Sequence, residues 1–94
     1  MPEMLFQISW PDGTIEQCYS PSLVIKDYLA VGVAYPLGDF MARSRNALTI
    51  ASDRVREKYG FGCSRALQQL AKLEAAVDRF GATTATVTVI SFQE

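Results

Sequence analysis

The sequence predicts a single α+β domain over residues 1–94: a three-stranded sheet, formed by a β-hairpin and a C-terminal strand, covered on one face by an antiparallel helical hairpin. Three observations predict it. Residues near the N-terminus alternate strictly between apolar and polar, and a turn tripeptide follows them. A long central segment repeats apolar residues at steps of three and four, and a second such segment follows a Gly-Phe-Gly break. The C-terminal residues are rich in threonine and valine. The order is ββ(α)ααβ. A chain of this length buries enough surface for one core.

Met4, Phe6, Ile8 and Trp10 fall on one side of an extended segment, with Leu5, Gln7 and Ser9 on the other. That is the pattern of a half-buried strand. Pro11-Asp12-Gly13 then presets a turn dihedral, offers a side-chain acceptor to the local backbone and accepts positive φ. Thr14 to Tyr19 returns as the second strand. Ser20-Pro21-Ser22 stops it, and serine before proline suits a helix start. Leu23 to Leu29 fits a short helix, although Val24 and Ile25 also fit an extended segment; Gly32 to Tyr35 reads as loop.

Pro36 is a natural first helical residue. From it, Leu37, Phe40, Met41, Ser44, Leu48, Ala51, Val55 and Tyr59 form one stripe of an amphipathic helix of about six turns. Asp39 and Arg43 are spaced to pair along it. Gly60 is the expected left-handed cap, with Phe61 the expected plug into the core. Ser64 can cap a third helix, along which Ala66, Leu70, Leu73, Val77 and Phe80 repeat as a seam that Gly81 closes. Thr84 to Phe92 is the last strand. It is expected beside the first strand and parallel to it, a direction that the 20–35 segment can reverse. The opposite sheet face would carry Leu5, Ile15 and Tyr19, which is apolar enough to suggest a dimer or a cover made by residues 20–35.

The chain contains no histidine. The commonest general base and transition-metal ligand are therefore missing, and no catalytic residue, metal site or cofactor is expected. The net charge of −1 offers no global attraction to nucleic acid or to a membrane surface. The charge is uneven: residues 1–42 carry −4 and residues 43–65 carry +4. No run approaches the roughly 18 apolar residues that span a bilayer. Two cysteines without a secretory leader fit reduced thiols in a cytoplasmic protein.

Two chemistries remain open. Arg43, Arg45 and Arg56 on the long helix, with Tyr28 or Tyr59, can hold an anionic metabolite, although the same arginines suit a solvated, ion-paired face. Cys63, just before a helix and beside Arg65, is the better of the two cysteines as a reactive thiol, although a small buried hydrophobe between Phe61 and the helix pair explains it better. Cys18 and Cys63 lie too far apart for a CxxC pair.

The order of residues adds to this. Trp10-Pro11-Asp12-Gly13, Cys18-Tyr19-Ser20-Pro21-Ser22, Lys26-Asp27-Tyr28, Asp39-Phe40, Arg43-Ser44-Arg45, Ala51-Ser52-Asp53-Arg54-Val55 and Lys58-Tyr59-Gly60-Phe61 with Cys63-Ser64 resemble one family. It is the bacterial nitrogen-starvation response protein family, encoded in nitrilase-containing gene clusters, and the resemblance spans nearly the whole chain. Such clusters also encode a radical-SAM protein, an acetyltransferase-like protein and a flavin-dependent oxidoreductase. The resemblance implies a supporting role in nitrogen metabolism and carries over no catalytic residue. The expected function is a non-catalytic, homo-oligomeric accessory protein that binds an enzyme of its own gene cluster. An anion binder or a thiol-dependent enzyme centred on Cys63 are the alternatives.

Overall fold

The computed structural model describes residues 3–61, 64–80 and 85–94. Gly62, Cys63, Gly81 and Thr84, expected above in the helix break, as a thiol, as a helix end and in the last strand, lie outside them. Seven elements follow in order: β1 (Met4–Ser9), β2 (Ile15–Ser20), α1 (Ile25–Tyr28), β3 (Ala34–Pro36), α2 (Leu37–Tyr59), α3 (Ser64–Phe80) and β4 (Thr86–Gln93).

The hairpin forms as its turn chemistry requires. The Gly13 N–H donates to the Trp10 carbonyl at 2.8 Å, and the Trp10 N–H donates to the Thr14 carbonyl at 2.8 Å. Asp12 Oδ1 accepts from the Thr14 N–H at 2.9 Å. Gly13 takes φ 87°, where a side chain would be strained. β1 and β2 pair antiparallel from Met4 opposite Ser20 to Ser9 opposite Ile15.

The sheet has four strands, not three, in the order β2-β1-β4-β3. The added strand, β3, comes from Ala34 and Tyr35, expected to be loop, and Pro36, expected to open the helix. Gly32 donates to the Val89 carbonyl at 2.8 Å, Val89 donates to the Val33 carbonyl at 3.2 Å, and Ala34 then pairs with Thr88. Three residues are too few for alternation to be legible, and Pro36 ends the pairing. Proline on so short an edge also discourages pairing with another chain.

β3 corrects a second expectation. It adds one more pass across the sheet before the helical hairpin, so β4 runs antiparallel to β1 and not parallel. Ile90 is an extra residue where the β1–β4 register shifts between Gln7 and Ile8. This bulge changes the parity of β4: Val87 and Val89 face the core before it, and Phe92, opposite Phe6, packs against the core after it.

The core lies between the sheet and the helices. Met4, Phe6, Ile8 and Trp10 are all buried, as the alternation requires. Trp10 meets Phe40 edge-on at 5.8 Å and stacks on Phe80 at 5.7 Å. Its indole N–H donates to Glu16 Oε1 at 2.9 Å. Residues 20–35 do not cover the far face of the sheet. Their Val24, Ile25 and Leu29 are buried in the core, and α1 packs on α2. That far face mixes half-buried Leu5 and Tyr19 and exposed Ile15 with Gln7, Gln17 and Ser91, as an antiparallel sheet with one wet face does.

α2 starts one residue later than expected, with Pro36 as the residue before its first turn. It ends at Gly60, at φ 86°, whose N–H donates to the Arg56 carbonyl. Its 23 residues span about 34 Å, whereas the strands beneath span roughly 20–27 Å. Burial along α2 accordingly stops at Ser52. Phe61, expected in the core, is 71% exposed, because the hairpin end has run past the sheet that would have covered it. No helix among the described residues is long and apolar enough to cross a membrane.

Candidate functional site

The five residues proposed for an anion do not form one pocket. Arg43 and Tyr28 do meet, but through backbone: Arg43 Nη1 donates to the Tyr28 carbonyl at 3.0 Å. Arg43 Nε donates to Asp39 Oδ2 at 2.9 Å, the pair foreseen along the helix, and its guanidinium lies 5.0 Å from the centre of the Tyr35 ring. Arg43 thereby ties the α1–β3 segment to α2. The Tyr35 hydroxyl accepts from the Ala30 N–H at 2.8 Å and completes the same tie. Arg45 points elsewhere, to Glu74 Oε1 at 3.5 Å, and links α2 to α3. Arg56 lies about 16 Å from Arg45 along the helix axis. It faces Asp53 at 3.9 Å, three residues away. Tyr59 is 54% exposed at the hairpin end, with the Lys58 ammonium 5.6 Å from its ring centre.

Cys63 lies outside the described residues. Cys18 is wholly buried; burial is the main force pushing its thiol far above the ordinary range, with the nearby Glu16 charge adding to it. At neutral pH it is a buried apolar group and not a nucleophile. Among the described residues, no three histidine, cysteine or carboxylate side chains gather where a metal could sit.

The structure brings together a different set. A groove of about 570 Å³ runs between the free edge of β2 and α3, and a second of about 260 Å³ continues it. Gln17, Gln69 and Lys72 line both, with Glu16 and Arg79 at one end and Arg65 at the other. Gln69 is buried and its Oε1 accepts the Tyr19 N–H at 3.0 Å. Arg65 lies 3.8 Å over the Tyr19 ring and 3.9 Å from Glu3. The signal was present in the sequence: positions 65, 69, 72, 76 and 79 step by four, three, four and three along one flank of α3. The apolar seam beside that flank is the stronger periodic signal, and only the fold sets the flank against β2.

The hairpin end is another exposed feature; elsewhere Ile15, Val31, Val33 and Ile90 are also exposed. Tyr59, Phe61 and Leu67 are 54%, 71% and 53% exposed, and all three lie near the α2–α3 connection. Asp53, Arg56, Glu57 and Lys58 flank them with both signs of charge.

A family model described as nitrogen starvation-induced protein NitG matches residues 5–92. No curated protein and no solved structure matches the chain significantly.

Proposed function

Because the chain belongs to the nitrogen starvation-induced protein family NitG, we propose that it is a non-catalytic accessory protein of the nitrogen-starvation response, which self-associates in the cytoplasm and supports an enzyme of its own nitrilase-containing gene cluster. The observation that carries this reading is the overhanging hairpin end. Three large apolar side chains stand in solvent there, where the sheet no longer reaches them. Large apolar side chains exposed near one end of a molecule, beside charged residues, favour association with another protein surface.

A second copy of the chain is the occupant that the charges favour. Asp53, Arg56, Glu57 and Lys58 put both signs of charge beside the apolar residues in the chain; Arg56 stays on Asp53, and Glu57 of one copy can face Lys58 of another across a two-fold axis. The arginines offered by the sequence as anion ligands support the same reading, since Arg43, Arg45 and Arg56 are each engaged with a carboxylate.

Light scattering on the purified chain tests self-association, and affinity capture from nitrogen-starved cells tests the enzyme partner. A dimer or larger species that Phe61→Ser with Leu67→Ser turns into a folded monomer is expected. A strict monomer that captures no product of its gene cluster contradicts the proposal.

A further inference from the structure

The groove between β2 and α3 has no part in that docking surface, and it has the makings of a ligand site. We infer that it binds a small oxyanion, the carboxylate or phosphate of a metabolite, through Gln69, Lys72 and Arg79. Gln69 is 8% exposed, and its orientation is set by the Tyr19 N–H, which needs an acceptor and so selects Oε1. The amide Nε2 is then left buried with no hydrogen-bond partner. A buried donor without an acceptor is costly, and a small turn of the Gln69 amide toward the groove it lines would give it an arriving oxygen.

The cations point the same way. Among the described residues the other lysines and arginines are engaged in ion pairs, on Ser22 or over a tyrosine ring. Lys72 and Arg79 have no hydrogen bond, ion pair or ring contact there, and both line this groove. They stand two turns apart on one face of α3, about 10 Å along its axis, so their long side chains can close on one anion. Ala75 and Ala76 lie between them and leave the space open. Glu16 also lines the groove, but its Oε1 is occupied by the Trp10 indole, and the two cations outweigh it.

The size fits a metabolite: 570 Å³ lies within the range of small-molecule sites. A strand-like peptide is disfavoured, because Gln69 already occupies the Tyr19 N–H that an added strand would need.

The test is titration of the isotope-labelled chain with sodium succinate and with inorganic phosphate at constant ionic strength, followed by NMR. The expected result is a saturable shift of the Gln69 side-chain amide with at least one of them. Lys72→Ala and Arg79→Ala, both on exposed positions, should each weaken that binding roughly tenfold, the scale of one lost charge-assisted bond, while Lys26→Ala leaves it unchanged. Failure of both probes to saturate at millimolar concentration overturns the inference. So does an unaltered response in the Lys72 and Arg79 variants, or binding of poly-glutamate alone. None of these results depends on whether the chain self-associates.

Discussion

Trp10 is held from three directions: edge-on by Phe40, face-on by Phe80, and at its nitrogen by Glu16. Replacing it with alanine should cost about 3–5 kcal/mol, read from urea unfolding. Trp10→Phe should cost less, because most of the buried area survives and only the indole bond is lost. The strand alternation made Trp10 legible as a core residue. Its bond to Glu16 was not legible, because it depends on the twist and register that bring the two strand ends together. At the turn, the Thr14 N–H holds the Asp12 carboxyl below its ordinary value. A folded-state pKa that is lowered stabilises the fold above the unfolded value and ceases to do so as pH falls through the lowered one. The stability difference between the wild type and Asp12→Ala should therefore shrink below about pH 4, measured by unfolding across the acid range.

α2 is two helices in energetic terms, one part buried to Ser52 and one overhanging part beyond it. Substitutions should divide accordingly. Leu48→Ala, in the buried part, should lower stability by about 2–5 kcal/mol, whereas Phe61→Ser should change the stability of the monomer by no more than roughly 0.5 kcal/mol. Urea unfolding of the two variants at a concentration dilute enough to keep the chain monomeric checks the contrast. The sequence stripe could not reveal this boundary. Val55 and Tyr59 continue its period, and periodicity records which side of a helix is apolar, not whether anything lies opposite. The short segment before α2 was obscure for another reason. Its order comes from partners far away in sequence: the Tyr28 carbonyl on Arg43, the Ala30 N–H on the Tyr35 hydroxyl, and Gly32 and Val33 on Val89. Arg43→Ala should loosen residues 28–36, β3 included, and raise their amide exchange rates without unfolding β1, β2 and β4.

For the molecule as a whole, the fold class and the two long helices were legible because each is written in local periodicity. The strand count and the direction of β4 were not, because both turn on a three-residue strand that forms only when β4 is already beside it. The candidate sites followed the same rule. Arg43, Arg45 and Arg56 stand out as a basic run in the sequence, yet the fold turns each toward a carboxylate. Lys72 and Arg79 are unremarkable in sequence and acquire a shared groove only through the packing of α3 on β2. The overhang leaves Phe61 in solvent, and we propose that a second copy covers it. Amide hydrogen exchange of residues 53–61, followed as a function of protein concentration, tests it most directly. Protection there should rise with concentration while that of residues 37–52 stays constant. Protection that is independent of concentration, and already equal to that of residues 37–52 in the dilute monomer, would contradict it.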